Sequence, residues 1–172
     1  MMSITIPTFA LVFIKNAIKM KGKFQGQDET VVNASVNKIW DVLIDGTLLP
    51  KWMPMVKNTN SITEALNEVR FCEVEIKGNK GKVSEKCVLY NEKKEIGWMM
   101  LSDEFGFDKM FDNFGFSFEL TPIDKNSTKV IGKGYADPKN IFAQFIILIT
   151  MRRMSSNIRK QALSGIKKIA ES

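Results

Sequence analysis

The chain of 172 residues reads as one α+β domain: a bent antiparallel sheet of about seven strands wraps a long C-terminal helix, and two short helices follow the first strand. Three observations predict this class. Alternating runs separated by turn-forming clusters fill the middle of the chain, the mark of an antiparallel meander. From Asp137 onward apolar residues recur at spacings of three and four, so one long helix packs along something equally long. With 44% hydrophobic and 26% charged residues, and no internal repeat or linker, a single sizeable core is expected.

The elements follow in order. Residues 4–14 (ITIPTFALVFI) are mostly apolar, but about eleven residues fall well short of the roughly twenty that span a bilayer. Lysines follow this run instead of preceding it, the reverse of a secretory signal. Two readings stand: a segment packed on the domain, or an interfacial anchor with Phe9, Leu11, Phe13 and Ile14 in lipid. Residues 1–23 are therefore an apolar and basic extension, and residues 24–172 the domain. Residues 29–34 read as a strand, after which Ser35 caps a helix carrying Val36, Ile39, Trp40 and Leu43 at helical spacing. A second short helical or irregular segment, 48–54, is bracketed by Pro50 and Pro54. Strands are expected at 56–63, 68–77, 82–90, 96–102, 115–121 and 128–135. Asp137 as N-cap and Pro138 at the first helical position then open the long helix. Its stripe is Ala143, Ile147, Met151, Met154, Ile158, Ala162, Gly165 and Ile169.

Register assigns the faces. Pairing the strands symmetrically about residues 78–81 sets Ile76 opposite Val83, Val74 opposite Glu85 and Cys72 opposite Cys87. One face then carries Arg70, Cys72, Val74, Ile76, Val83, Glu85, Cys87 and Leu89. The other carries Glu73 opposite Lys86 and Glu75 opposite Ser84, a sensible solvent face, so the first points inward. That buries Arg70 and Glu85, and a buried charge must be paired, hydrated or neutralised. In this register they sit about four residues apart, roughly 13 Å of strand, so a water or ligand bridges them or Glu85 bonds a neighbouring Tyr or Ser. Pairing about 124–126 sets Phe118 opposite Gly132 and Phe116 opposite Gly134. These glycines either leave a hollow above the sheet or are covered by the aromatic rings. For 96–102 the alternation leaves open whether Trp98 and Met100, or Met99 and Leu101, point in.

Several function classes are excluded. The chain has no histidine, which removes the usual general base near neutral pH and every imidazole-dependent nucleophile. No phosphate-binding glycine loop or zinc-hydrolase motif occurs, and neither cofactor nor metal is expected. Cys72 and Cys87 match no metal-ligand spacing and read as small core residues in a reducing cytoplasm, with a cross-strand disulfide as the alternative. The net charge of +6 comes from the ends: four lysines and no acid in residues 1–24, and seven basic residues against Glu171 in 139–172. Basic ends suit either solvated helix faces or an anionic surface. Basic residues are not interleaved with aromatics as a single-strand nucleic-acid platform needs, so no nucleic acid is expected.

The order of elements, with ASVNKIWDVLIDGTLLPKWMPMV after the first strand, Arg70 and Glu85 on the next hairpin and STKV opening the last strand, resembles the SRPBCC superfamily, the helix-grip group of Bet v 1-like, START-like and polyketide cyclase-like proteins. The resemblance covers residues 24–170. It implies a seven-stranded sheet gripping the C-terminal helix and a cavity that in relatives takes lipids, sterols, polyketides or hormones.

The expected function is binding or carriage of a small apolar ligand, lipid-like or polyketide-like, by a monomer or homodimer in the cytoplasm. The expected cavity residues are Arg70, Cys72, Val74, Glu85, Cys87, Leu89, Phe116, Phe118, Ile147, Met151 and Met154. The alternatives are a cyclase, aromatase or hydratase, with Glu85 as acid or base and Arg70 or Tyr90 orienting a carbonyl, and a peripheral lipid-transfer protein touching membranes through its N-terminal segment. The apolar stretch 141–150 also needs cover, from the N-terminal segment or a second subunit.

Overall fold

The computed structural model describes residues 19–172, so the reading of residues 4–14 lies outside the described residues. Seven antiparallel strands, β1 (Phe24–Val32), β2 (Val56–Thr59), β3 (Val69–Ile76), β4 (Asn79–Asn91), β5 (Glu95–Asp103), β6 (Phe111–Asp124) and β7 (Ser127–Pro138), form one sheet in the order β1-β7-β6-β5-β4-β3-β2. Two helices, α1 (Val36–Ile44) and α2 (Leu49–Trp52), lie between β1 and β2, with a 3₁₀ turn at Gly46–Leu48. Ser35 caps α1 as expected, its hydroxyl accepting from the Lys38 amide at 3.3 Å. A one-turn helix, α3 (Phe107–Met110), precedes β6.

The chain ends in a long helix built of α4 (Ile141–Ile146), a π-helical turn (Ile147–Met151) and α5 (Arg152–Ala170). Ile146, Ile147, Met151 and Arg152, at the two junctions, all have right-handed helical backbone, so helical backbone runs unbroken from Ile141 to Ala170. No helix of the described residues is long and apolar enough to cross a membrane. Its start differs from expectation. Pro138 still pairs with Phe111 at the end of β7, and the cap is Asn140, whose side chain accepts from the Ala143 amide at 2.8 Å. Asp137 serves the sheet instead, accepting from the Lys23 amide and from Asn113 Nδ2 at 3.0 and 2.7 Å.

The β3–β4 hairpin corrects the expected register. Its turn is the two residues Lys77 and Gly78, both left-handed with φ of 49° and 83°, as a primed hairpin turn matched to the strand twist requires. Ile76 therefore pairs with Asn79, Cys72 with Val83, and Arg70 with Glu85. This register differs from the expected one by four residues, an even number, so every side chain keeps its face. The β6–β7 hairpin has the expected register, with Phe118 opposite Gly132 and Phe116 opposite Gly134.

A large core lies where α1, α2 and the C-terminal half of α5 meet the sheet, around Trp40, Leu43, Trp52, Phe118, Leu163 and Ile166. A smaller one joins Phe111 and Ala136 to Ala143, Ile147 and Met151 at the other end of the long helix. The two helices α2 and α5 touch at Gly165, where a Cβ would fall 2.5 Å from the Trp52 Cα. Gly165→Ala is accordingly expected to lower stability by about 1–3 kcal/mol in urea denaturation, despite alanine's better helix propensity, because backbone atoms of Trp52 would have to move.

Candidate functional site

A cavity of about 160 Å³ lies between the concave face of the sheet and the long helix. Leu49, Met53, Met55 and Val56 close one side, and Ile147, Met151, Met154, Ile158 and Ala162 cover it from the helix. From the sheet come Val74, Val83, Met100, Phe116 and Phe118. Trp98 and Met100 are thus the inward pair on β5: Trp98 is buried and Met100 lines the cavity, whereas Leu101 is exposed. Of the glycines opposite the phenylalanines, Gly132 has the aromatic cover that one reading expects and Gly134 does not. The Phe118 ring covers Gly132, and the Arg159 guanidinium lies over Gly134, yet both glycines still line the cavity.

Gln25, Ser117, Lys133, Arg152, Ser155 and Arg159 also line the cavity, and a buried polar cluster around Arg70 interrupts its apolar wall. Arg70 is 3% and Glu64 2% exposed. The Arg70 guanidinium donates from Nε to Glu85 Oε2 at 2.8 Å and from Nη1 to Glu64 Oε1 at 2.8 Å, with Nη2 2.7 Å from Glu85 Oε2. Direct cross-strand pairing replaces the expected 13 Å gap, because the two-residue turn brings Glu85 opposite Arg70. Glu64 is saturated: it also accepts from Trp98 Nε1 at 2.8 Å and from the Ser61 hydroxyl at 3.0 Å. Its own amide donates to the Ile44 carbonyl at 2.8 Å, pinning the β2–β3 loop to the end of α1. Arg70 also stacks over the Trp98 ring, 4.4 Å from its centroid. Burial opposes the guanidinium charge, but attraction from Glu85 and Glu64 overcomes it and holds Arg70 above its ordinary range.

Glu85 differs from Glu64. It lines the cavity, its side chain is 16% exposed, and Oε1 accepts no hydrogen bond from the described residues. Two carboxylates face one guanidinium, so the cluster is formally one negative charge in excess. An unfilled acceptor beside an apolar cavity is a place for a ligand's N–H or O–H.

Of the residues expected in the cavity, Arg70, Val74, Glu85, Phe116, Phe118, Ile147, Met151 and Met154 line it. Cys72, Cys87 and Leu89 do not. Both cysteines are buried in the core, where the Cys72 thiol donates to the Thr59 hydroxyl and the Cys87 thiol to the Leu89 carbonyl, each at 3.6 Å. They are not opposite each other: Cys72 faces Val83, and four residues of strand, roughly 13 Å, separate that position from Cys87, too far for a disulfide. A bulge between Cys87 and Leu89 shifts the ladder by one. Beyond it Tyr90 turns onto the large core, edge-on to Trp40 at 5.2 Å, and Leu89 is buried outside that core. Tyr90 therefore does not reach the cavity, and burial followed by repulsion from Glu92 raises its pKa. Glu64, the most buried carboxylate, is absent from the expectations because it lies in a loop whose polar residues look solvated.

A second polar group fastens the helix. Asp28 on β1 accepts from Arg159 Nε and the Ser156 hydroxyl, both at 2.9 Å, with Lys160 at 3.7 Å.

A seven-stranded antiparallel sheet that grips a C-terminal helix over an apolar cavity defines a helix-grip protein of the START and Bet v 1-like, or SRPBCC, type. Residues 23–171 match the family described as polyketide cyclase / dehydrase and lipid transport, and the chain belongs to that family. Solved structures share the fold at low identity. The Zhui aromatase/cyclase from Streptomyces sp. R1128 is 14% identical at a TM-score of 0.66, over 85% of this chain and 92% of its own. Norcoclaurine synthase from Thalictrum flavum, as a point mutant with a transition-state analogue, is 17% identical at 0.66, over 89% and 96%. A START superfamily protein from Mycobacterium smegmatis is 18% identical at 0.60, over 85% and 93%. Comparison with curated proteins finds no match.

Two outcomes are expected. Glu64→Ala leaves Arg70 Nη1 and Trp98 Nε1 without an acceptor while Glu85 still holds the rest of the guanidinium, and should cost about 3 kcal/mol, read as a fall in the urea midpoint. Burial, with repulsion from Glu85 for Cys72 and from Glu64 for Cys87, pushes the thiols up from 9.0 to about 11 and about 12. Their contribution to stability is therefore complete below pH 9 and lost as pH rises through these values. Stability measured from pH 8 upward should fall less steeply in a Cys72→Ala, Cys87→Ala variant.

Proposed function

We propose that the protein binds and carries a small apolar molecule whose polar end donates a hydrogen bond, such as a hydroxyl or amine, with that end at Glu85. The observation that carries this reading is the Glu85 oxygen that accepts no hydrogen bond from the described residues, beside a largely apolar cavity in which Glu85 is the one carboxylate among the lining residues. The cavity, about 160 Å³, is close to the ~150 Å³ of apolar cavities that take up a benzene ring. A ring-sized or short-chain portion of the ligand fits inside it. The family description, which includes lipid transport, agrees with such a cargo.

Enzymatic action of the cyclase type receives less support from the same geometry. Arg70 is committed to two carboxylates and has no donor directed at a carbonyl, and Tyr90 lies in the core. Glu85 is the one carboxylate among the lining residues, and of the cations that line the cavity with it Lys133 and Arg159 are already held by Glu119 and Asp28, which leaves little to stabilise the negative charge that acyl and enol chemistry develops.

Uptake of apolar probes tests the reading, with a hydroxylated or amino-terminated aromatic compared against its carboxylate analogue. The wild-type chain is expected to prefer the donor-bearing probe, and Glu85→Gln to erase that preference. Met154→Trp, at a half-buried wall position, should weaken both probes by roughly tenfold, equivalent to ~1.4 kcal/mol. Equal binding of both probes by wild type, or uptake unaffected by Met154→Trp, would sink the proposal.

A further inference from the structure

The long helix carries a second feature that the cavity does not use. Ile141, Phe142, Phe145, Leu148 and Ile149 are between 57% and 85% exposed, while Ala143, Ile147 and Met151 on the opposite side are buried against the sheet. These five large side chains recur at helical spacing and make one contiguous apolar face. Among the first nine residues of the helix, only Gln144 adds an exposed polar side chain. The next turn presents Arg152 and Arg153, both exposed and without an acidic partner among the described residues. From Lys139 to Ala170 the sequence contains no Asp or Glu.

The face adjoins an entrance. An open groove of about 560 Å³ runs between the helix and the β3–β4 turn, and Ile149 and Arg153 form part of its rim. Met55, Ile76, Met154 and Ile158 line both this groove and the inner cavity. These four flexible or rotatable side chains are all that the two spaces share as a wall, and two are methionines, which re-pack readily. The π-helical turn at Ile147–Met151 sits at this point, with Ile147 and Met151 toward the cavity and Leu148 and Ile149 toward solvent.

We infer that this helix face is a docking surface for anionic lipid bilayers. The apolar side chains sit at the depth of the acyl boundary, Arg152 and Arg153 lie at the headgroups, and the groove opens onto the membrane surface. An amphipathic helix with this distribution binds in the interfacial plane, driven by apolar burial and attraction to anionic lipid. The charge favours lipid over a second copy of the chain, because the same patch on a partner would bring arginines and no carboxylates to the contact. The inference extends the carrier reading by giving the cargo a route, but its test is separate from that reading.

The 172-residue chain is sedimented with vesicles of phosphatidylcholine alone or mixed with phosphatidylserine. Binding to the mixed vesicles is expected, falling with added salt. Arg152→Gln with Arg153→Gln should reduce it, each arginine contributing roughly fivefold, and Phe142→Ser with Phe145→Ser should abolish it. Those two phenylalanines are exposed, and an unchanged thermal transition verifies the fold. Any of these results would overturn the inference: no vesicle binding by wild type; unchanged binding by the phenylalanine variant; or a dimer in gel filtration that this variant converts to monomer. Loss of binding in a Phe9→Ser, Phe13→Ser chain while the helix variant still binds would assign the surface to the N-terminal segment and equally overturn it. Probe uptake retained by the phenylalanine variant, whose changed residues do not line the cavity as Arg152 does, separates the docking surface from the cavity. Uptake absent from a wild-type chain that does bind vesicles would sink the carrier reading alone.

Discussion

A guanidinium held under a β-sheet needs acceptors on every side, and satisfying Arg70 organises the centre of this protein. One carboxylate cannot do it, because Arg70 directs donors both across the β3–β4 ladder and toward the β2–β3 loop. Glu85 meets the first requirement from the facing strand. Glu64 meets the second and, through Trp98 and Ser61, ties the loop to β5 while its backbone ties it to α1. Removing either carboxylate would leave buried guanidinium N–H groups without their acceptor, which is why such clusters resist piecemeal change even where an apolar replacement of the whole would be tolerated.

The cavity exists because the long helix meets the sheet firmly at two places and loosely between them. Trp52, Leu163 and Ile166 fill the space at one end, and Phe111, Ala136 and Ala143 at the other. Between these cores the wall includes methionines, the four phenylalanines Phe107, Phe114, Phe116 and Phe118, and glycines that give no side chain to the interior. The Asp28–Arg159 pair holds the helix on β1 without filling that space completely. The π-helical turn falls in the same loosely packed stretch, a place where such insertions are often tied to function.

The site's chemistry follows from how acceptors are distributed. Glu64 has all its capacity taken by Arg70, Trp98 and Ser61 and acts as a structural anion. Glu85 spends one oxygen on Arg70 and lines the cavity, and this asymmetry distinguishes it from the fully engaged Glu64. Family membership and shared fold leave the cargo undetermined, since this architecture supports unrelated chemistries. On the proposed carrier reading, one oxygen, a ring-sized space and the groove beside it would select the cargo.

The sequence by itself determined the sheet, the order of its strands, the inward face of β3 and β4 and the stripe of the long helix, because period-two and period-3.6 patterns are local consequences of burial. It also determined that Arg70 and Glu85 share a face, since a register error of four residues preserves parity. Only the tertiary structure decided that they touch, because a two-residue and a four-residue turn are both compatible with the KGNKG sequence around Gly78. The bulge after Cys87, which sends Tyr90 to Trp40 and keeps Leu89 from the cavity, leaves no local pattern. Neither does Glu64: an arginine with five donors and a tryptophan N–H both called for a further acceptor, but nothing in the chain says which of nineteen acidic residues would be carried to them. That choice depends on where a loop crosses the sheet edge, and long-range packing sets it.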